Sequence, residues 1–304
     1  MDHPADMLPF EQIFDIPRRF EKENALKTIL VASDLSERSD VALNRAITLA
    51  AAAGAHLHVA HVVDGELPPD IAAAEQQGAE RFLRGQLAKS PAAAQIDTEV
   101  SAVLGDPCDD VAALAQRISA DLIVVGRHRH RGLAEFFSGT TVDRMARTAT
   151  LPLLVVTRPA DAPYGPVVVG IDLSACAARA LDLAGQVAGK VVPVHAYHVP
   201  FRALIHRGHP QDALSDPDRA RIEATLRNEI DAWAAPLGLQ DTLRDIRLSE
   251  GGATNVLPRV AAEVGADLIC LGAHSRAWLP AAMLGSIARD LLSFSDLDIL
   301  IAPL

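Results

Sequence analysis

The segment Asp121–Gly126 reads Asp-Leu-Ile-Val-Val-Gly, and this stretch decides the fold class of the chain. A short apolar run bounded by Asp and Gly predicts a fully buried strand. The residues after Thr140 have apolar side chains at helical spacing, so Gly139-Thr140 marks the start of a helix. A helix start that follows a buried strand presents free backbone N–H groups and commonly binds phosphate, although a plain helix cap explains Gly139-Thr140 as well.

A second copy of this segment follows further along the chain. Three features recur at the same spacing: the buried strand, the glycine with its following hydroxyl residue, and the apolar run beyond them. The matched pairs are Asp121–Gly126 with Asp267–Gly272, Gly139-Thr140 with Gly285-Ser286, and Leu151–Val156 with Leu297–Ala302. The chain is therefore a tandem duplication, and its 304 residues suffice for two domains of about 150 residues each.

The composition excludes several classes of function. The formal net charge of −11 opposes general binding to nucleic acid or to anionic membranes. The sequence has no run of about 18 apolar residues that could span a membrane and no secretion signal at its start, so we expect a cytoplasmic protein. The three cysteines are widely spaced and form no CxxC pair, which predicts neither a disulfide framework nor a zinc site.

The domain organisation follows from the repeat and from a stretch rich in proline. We expect a leader at 1–24, a first domain at 25–159, a linker at 160–166 and a second domain at 167–304. The second domain is longer than the first, and its extra residues fall around 201–218. This insertion is either simple loop variation or a lid or contact surface.

Strand and helix patterns alternate in both halves, which predicts α/β domains with open, doubly wound parallel sheets. Ligands bind such sheets at the carboxyl ends of the strands, where the winding direction reverses. If the strand at 28–32 lies beside the strand that ends at Gly126, Asp34 and Gly126 share one crevice, and Asp172 and Gly272 share another. The alternative for Asp34 and Asp172 is that each caps the helix that follows it.

These residues resemble the universal stress protein family, and the resemblance covers both repeats from Asn24 onward. The family loop reads Gly, two residues, Gly, nine residues, Gly, then Ser or Thr. The residues that fit it are Gly126, Gly139 and Thr140 in the first repeat and Gly272, Gly285 and Ser286 in the second. The segments Ala32–Ser36 and Gly105–Pro107 also resemble the family pattern. The resemblance implies two tandem domains of the adenine nucleotide alpha hydrolase type.

The middle glycine of the family loop is replaced in both repeats, by Arg129 in the first and by Ser275 in the second. The family's nucleotide-binding members are expected to keep this glycine, and a Cβ there costs about 1 kcal/mol or more if the backbone lies against phosphate. Side chains of Arg127, Arg129 and Arg131 are either phosphate contacts or a solvated basic loop. Ser275 is small, so the second crevice is the more permissive one.

The resemblance implies a cytoplasmic stress-response protein that binds ATP or another adenine nucleotide, with or without Mg2+, and has no dedicated catalytic set. Two alternatives stay open: a nucleotide-free dimeric signalling or interaction module, and a slow ATP hydrolase. The expected nucleotide-binding positions are Asp34, Val62, Gly126, Arg129, Gly139, Thr140 and Thr141 in the first repeat, and Asp172, Ala196, Gly272, Ser275, Gly285, Ser286 and Ile287 in the second.

Histidines cluster in two places, on the second predicted strand and in the loop after Gly126. His56 and His58 share one face of the strand, but no cysteine or carboxylate stands at ligand spacing along the chain, so we expect no metal site. His61 and His195 end equivalent strands and are expected to be buried and hydrogen-bonded. A sensing role for the insertion, through His206 and His209, is the least supported alternative.

The last apolar strand of each repeat, at 153–156 and at 297–302, would leave an exposed edge if unpaired. By the family resemblance such edges pair domains or subunits. We therefore expect either an intramolecular domain pair or a homodimer.

Overall fold

The computed structural model describes residues 26–127, 144–146, 150–159, 162–198, 216–273 and 284–304. The expected leader at 1–24 and most of the insertion at 201–218 lie outside these residues. The described residues divide into two compact units. One consists of residues 216–245 of the second repeat, and the other contains the remaining described residues of both repeats.

Strands and helices alternate along both repeats, as the sequence pattern predicts. The first repeat contains β1 (Thr28–Ala32), α1 (Glu37–Ala53), β2 (His56–Asp64), α2 (Pro69–Leu87), β3 (Thr98–Gly105), α3 (Pro107–Arg117), β4 (Leu122–Gly126) and β5 (Leu153–Val156). The second repeat contains β6 (Tyr164–Gly170), α4 (Ala175–Val187), β7 (Ala188–Tyr197), α5 (Asp216–Ala234), α6 (Gln240–Leu243), β8 (Arg247–Glu250), α7 (Ala253–Val264), β9 (Leu268–Gly272), α8 (Ser286–Phe294) and β10 (Asp298–Ala302).

The ten strands form one sheet in the order β3-β2-β1-β4-β5-β10-β9-β6-β7-β8. Each repeat contributes five parallel strands, and the winding direction reverses between β1 and β4 in the first repeat and between β6 and β9 in the second. The doubly wound α/β fold expected from the sequence is confirmed. The reversal points fix where each repeat can form a crevice.

The two repeats join through β5 and β10, which form the antiparallel pair of the sheet. Leu153 pairs with Ile301, and Val155 pairs with Ile299. Both strands also have a parallel neighbour on their other side, β4 and β9. The last strand of each repeat is therefore paired on both sides within one chain and presents no free edge to a second copy.

Two boundaries differ from the expected ones. Strand β6 begins at Tyr164, inside the stretch 160–166 that we interpreted as a linker, because Tyr164 and Pro166 pair with β7. Pro166 precedes the residues of β6 that pair with β9, so that ladder begins at Val167. The apolar run that begins at Val191 predicts a strand over 191–195, whereas β7 runs from Ala188 to Tyr197, because its first residues pair with the early start of β6.

A hydrophobic core cluster extends across both repeats on one face of the sheet. It combines buried side chains of β1, β4 and β5 with their counterparts in β6, β9 and β10, and it is covered by α3, α7 and α8. Helix α1 contacts β1, β4 and β5, and α4 makes the matching contacts in the second repeat. Because the sheet and this core are shared, the strands of both repeats belong to one unit.

The unit of residues 216–245 consists of α5, a short 3-10 turn (Ala235–Leu237) and α6. Gly238 ends the turn in the left-handed conformation with φ of 68°, which glycine adopts without strain. No helix in the described parts of the chain is long and apolar enough to cross a membrane.

Candidate functional site

Each reversal of winding places an aspartate and a glycine at the same edge of the sheet. Asp34 follows β1 and Gly126 ends β4, and these two strands are parallel neighbours. Asp172 follows β6 and Gly272 ends β9, which are neighbours in the same way. We call these places the first and the second crevice.

The strand-end glycines are required by helix packing. A Cβ on Gly126 would lie 2.6 Å from the carbonyl oxygen of Arg38, at the start of α1. A Cβ on Gly272 would lie 2.7 Å from the Cβ of Cys176, at the start of α4. Both distances are shorter than a carbon atom tolerates, so a helix start packs directly on each strand end. The two glycines therefore position the crevices whether or not a ligand binds there.

Asp34 is the centre of a tight turn in the first crevice. Its Oδ1 accepts hydrogen bonds from the Ser36 N–H at 3.0 Å, from the Ser36 hydroxyl at 2.5 Å and from the Ser39 hydroxyl. Burial opposes ionisation, but these donors, together with the charge of Arg38, hold the pKa of Asp34 below its ordinary value. Leu35 adopts a left-handed φ of 62°, a strained conformation for leucine. The turn is thus held in place by the carboxylate.

Asp172 makes the equivalent turn with fewer partners. Its Oδ1 accepts from the Ser174 N–H at 3.1 Å, and Leu173 has the same left-handed φ of 61°. Ser174 caps α4 by accepting from the Ala177 N–H at 3.0 Å, and Ala177 stands where the first repeat has Ser39. The helix N-caps are therefore Ser36 and Ser174, and the alternative that the aspartates occupy the cap position is wrong.

His61 and His195 support the two turns from the neighbouring strands. The Nδ1 of His61 lies 2.8 Å from the carbonyl oxygen of Ser33, and the Nδ1 of His195 lies 2.7 Å from that of Ile171. A carbonyl only accepts, so each Nδ1 carries a proton and, in the neutral ring, Nε2 keeps its lone pair. Both rings are half-buried. Their hydrogen bonds fix the chain just before each aspartate turn.

Val62 and Ala196, which follow these histidines, lie near the carboxyl ends of β2 and β7 and are partly buried. They flank the crevice strands β1 and β6, respectively. The structure therefore brings these two expected residues to the same sheet edge as the aspartates and glycines.

The start of α8 is tied to the second crevice. The Gly285 N–H donates to the carbonyl oxygen of Ala273 at 2.9 Å, and the Ala273 N–H donates to that of Ala302 at 2.8 Å. Ala273 directly follows β9, so α8 begins beside the strand end at Gly272. Gly285 is the N-cap of α8, and among the described residues no side chain caps this helix.

Gly285 is not required by the fold, unlike Gly272. Its φ of −57° suits any residue, and a Cβ there would meet the Ala273 oxygen at 3.4 Å, an ordinary contact. Ser286 and Ile287 are exposed in the first turn of α8. The first-turn N–H groups are thus left without a side-chain acceptor among the described residues.

Arg127, which we considered as a phosphate contact, binds elsewhere. Its guanidinium donates to the carbonyl oxygens of Ser293, at 2.5 Å, and of Ser295, at the end of α8. The carboxyl end of a helix carries partial negative charge, so a cation is stabilised there. Arg127 therefore joins the first repeat to the last helix of the second. The expected site residues Arg129, Gly139, Thr140, Thr141 and Ser275 lie outside the described residues.

Comparison with known proteins identifies the family. The sequence matches the universal stress protein family twice, over residues 25–157 and 163–303. The chain belongs to the universal stress protein family.

Two relatives illustrate the extent of the similarity to other universal stress proteins. Universal stress protein A homolog 1 of Coxiella burnetii is 33% identical over 138 residues, which cover 43% of this chain and 95% of that protein. A universal stress protein of Mycobacterium tuberculosis is 24% identical over 300 residues, covering 90% of this chain and 96% of the relative. The second relative therefore matches both repeats.

A solved universal stress protein from Archaeoglobus fulgidus has a similar fold. It superposes with a TM-score of 0.65 at 18% identity, covering 93% of this chain and 99% of that chain. This likeness supports the arrangement of the fold alone.

Two further clusters of this universal stress protein lie away from the crevices. The first corrects our expectation that His56 and His58 lack a carboxylate partner. Strand β3 pairs with β2 so that Glu99 lies opposite His58, and the Glu99 Oε2 is 3.5 Å from the His58 Nδ1. The partner comes from another strand, so spacing along the chain could not reveal it. Asp97, Glu99 and Ser101 are polar residues at every second position and so lie on one face of β3. Together with the register of β2 and β3, this pattern would have revealed the carboxylate partner.

The second cluster is a buried polar group between the repeats, centred on Asp298. This side chain is fully buried and accepts from the Tyr164 hydroxyl at 2.6 Å and from the N–H groups of Thr157 and Arg158 at 2.7 and 3.2 Å. The Arg45 Nε lies 3.5 Å away, and its guanidinium stacks 3.8 Å above the Tyr164 ring. Burial raises the pKa of Asp298, although these donors favour its charged form. The cluster is structural and fixes the β5–β10 region.

Proposed function

We propose that this universal stress protein binds an adenine nucleotide, ATP or another, with or without Mg2+, and that the second crevice is the principal site. It acts in the cytoplasm as a stress-response protein and carries out no dedicated catalysis. The observation that carries the proposal is the start of α8, a helix of nine residues that begins beside the end of β9 and has no side-chain cap within the described part of the chain.

The phosphate end of the ligand is assigned to this helix start. Free N–H groups and the positive end of the helix dipole stabilise an anion, and the glycine at the N-cap leaves room for it. Gly285 supports this role because neither its φ nor its surroundings require glycine. Packing alone accounts for Gly272, so that glycine gives the proposal no support.

The sugar end is assigned to the opposite wall of the crevice. Asp172 accepts one described hydrogen bond, from the Ser174 N–H, which leaves its second oxygen available to a ribose hydroxyl. Asp34 has three donors on one oxygen, including two hydroxyl groups. In both aspartates the described donors therefore contact Oδ1 alone, and it is the small Ser275, at the position that Arg129 occupies in the first repeat, that favours the second crevice over the first.

The first experiment is to denature the purified protein without added ligand and to identify any released nucleotide by chromatography and mass. Titration calorimetry with Mg-ATP on the nucleotide-free chain then measures affinity. We expect ATP, ADP or AMP near one per chain, or binding of added Mg-ATP. The proposal would be overturned if the purified protein released no nucleotide and also failed to bind added Mg-ATP.

Gly285→Asp tests the phosphate position. Aspartate is a good N-cap, so the helix keeps its stability, but the carboxylate occupies the N–H groups and repels phosphate. Gly252 is the N-cap of α7, beyond the outer strand β8, and Gly252→Asp is the matched control. We expect at least tenfold weaker Mg-ATP binding for Gly285→Asp and unchanged binding for Gly252→Asp.

Asp172→Asn compared with Asp34→Asn tells the crevices apart. If the second crevice is the site, only Asp172→Asn weakens binding. Loss of binding in Asp34→Asn alone would move the site to the first repeat. Phosphate release from ATP that Asp172→Asn abolishes would instead support a slow hydrolase.

A nucleotide-free signalling or interaction module is the second candidate. The observation that favours it is that helix packing alone explains Gly126 and Gly272, while the middle loop glycine is replaced in both repeats. It predicts that purified protein contains no nucleotide and that millimolar Mg-ATP leaves the thermal transition unchanged.

A further inference from the structure

We propose that His56, His58 and Glu99 bind one divalent transition-metal ion, with Zn2+ as the best match, at the outer edge of the first repeat. The ligand atoms are the Nε2 of His56, the Nδ1 of His58 and the Oε2 of Glu99. The site lies between β2 and the outermost strand β3, whereas the first crevice lies between β1 and β4. It is therefore independent of the proposed nucleotide site.

The three groups already stand close to coordination geometry. The Glu99 Oε2 lies 3.5 Å from the His58 Nδ1 and 3.9 Å from the His56 Nε2. All three residues offer ligand atoms within 4.8 Å of one another. Bonds of about 2.0–2.1 Å in a tetrahedral zinc site separate neighbouring ligand atoms by roughly 3.3 Å. The Glu99 side chain is 64% exposed, so it has the freedom to close this difference.

His58 supplies the observation that points to a ligand. Its side chain is 3% exposed, and its buried Nδ1 makes no hydrogen bond with good geometry among the described residues; the Glu99 Oε2 faces it at 3.5 Å. A buried ring nitrogen without a partner is costly, and a metal ion would satisfy it. The other ring nitrogen, Nε2, lies 2.8 Å from the Ser101 hydroxyl, which holds the ring in place and can accept its proton.

His56 is oriented by a carboxylate. Its Nδ1 lies 2.9 Å from the Asp97 Oδ2, and a carboxylate accepts the ring proton there. The proton on Nδ1 leaves Nε2 as the nitrogen that faces Glu99. A carboxylate behind a histidine ligand is the usual outer-shell partner in zinc sites and raises the basicity of the ring.

Two imidazoles and one carboxylate, with a position left for water, form a common ligand set for Zn2+. The second repeat lacks it, because Lys190 and Val192 occupy in β7 the register positions that His56 and His58 occupy in β2. One ion per chain is therefore expected. The ion would link β2 to β3 and stabilise an edge strand that has a neighbour on one side only.

The test uses the full chain, freed of metal with a chelator and then titrated with Zn2+ against a chromophoric competitor. We expect one site, a rise in Tm with Zn2+, and a tetrahedral absorption spectrum with Co2+ in its place. Glu99→Gln and His56→Gln change exposed or half-exposed side chains and should weaken Zn2+ binding at least tenfold. Asp97→Asn should weaken it by about 10–100-fold.

Two controls separate this site from other zinc ligands in the chain. Glu66→Gln makes the same change at an exposed glutamate outside the cluster and should leave binding unchanged. The double variant His206→Gln with His209→Gln tests the insertion and should also bind normally. Absence of Zn2+ binding would overturn the proposal. So would binding that survives Glu99→Gln and His56→Gln.

Discussion

Leu154 and Leu300 lie directly opposite each other in the antiparallel pair of β5 and β10, and each holds the same position in its own repeat. The two flanking pairs, Leu153 with Ile301 and Val155 with Ile299, are equivalent to each other when the two repeats are interchanged. A local two-fold axis therefore passes between Leu154 and Leu300. Such self-complementary contacts are typical of two-fold dimers, and here they form within one chain.

We predict that Leu154→Ala and Leu300→Ala each lower the free energy of unfolding by about 2–5 kcal/mol, because both side chains are fully buried. Since they face each other, the double variant should deviate from additivity by about 0.5–3 kcal/mol. Urea denaturation measures all three. Leu83 lies on α2, which packs on β2 and β3 away from Leu300, and serves as the control. The losses of unfolding free energy in Leu83→Ala and Leu300→Ala should add in the double variant. Additivity of the Leu154 and Leu300 pair would contradict a shared core at the axis.

Tyr164→Phe should destabilise the fold by about 1.5–3 kcal/mol, because it removes a hydroxyl donor from the buried Asp298 carboxylate. In an Asp298→Asn background the same change should cost less, since hydrogen bonds to a neutral group are weaker. Denaturant midpoints at neutral pH for the four proteins give the comparison. An equal loss in both backgrounds would mean that the Tyr164 hydroxyl does not act through Asp298.

Gly126→Ala and Gly272→Ala should each destabilise the protein by about 1–3 kcal/mol, because the added Cβ collides with a helix start. Gly285→Ser should leave stability unchanged or raise it, since serine is a good N-cap and the position has room. Thermal denaturation of the nucleotide-free proteins checks this. A stable Gly272→Ala variant would show that α4 does not pack on the end of β9 as described.

Asp34 and Asp298 should give opposite dependences of stability on pH. The folded pKa of Asp34 is lowered from 3.8, so its advantage over Asp34→Asn is full above pH 3.8 and is lost as the pH falls through the folded pKa. The folded pKa of Asp298 is raised from 3.8, so its advantage over Asp298→Asn is full below pH 3.8 and declines as the pH rises through the folded pKa. Urea denaturation of the ligand-free proteins across a pH series measures both differences. If the two stability differences changed with pH in the same direction, the opposite pKa shifts of Asp34 and Asp298 would be refuted.

The strands were largely predictable from local patterns, because buried runs bounded by polar residues have few alternatives. Strand β1 has the expected bounds, 28–32, and α3 begins at Pro107 with Asp106 as its N-cap, which is what an aspartate directly before a proline predicts. Strand β2 extends beyond its apolar run to include His56 and Asp64, because pairing with β1 and β3 draws polar residues into the ladder. Hydrogen bonding to neighbours, not side-chain polarity, sets those ends.

The candidate sites were less predictable, because they depend on contacts between distant segments. The repeat and the reversal rule located Asp34 and Asp172 at the crevices. The pairing of His58 with Glu99 required the register of β2 and β3, which alternation alone does not specify. The Asp298 cluster joins both repeats, and its counterpart in the first repeat is Pro152, so the duplication gave no signal for it.

The pairing of β5 with β10 has a genetic consequence. In a dimer of identical subunits, a codon change alters both halves at once, so the two sites stay the same. Here each repeat has its own codons. Ser39 in the first crevice and Ala177 in the second occupy equivalent positions and have already diverged. One repeat can therefore keep a ligand site while substitutions give the other repeat a different function. Every molecule still contains one copy of each repeat.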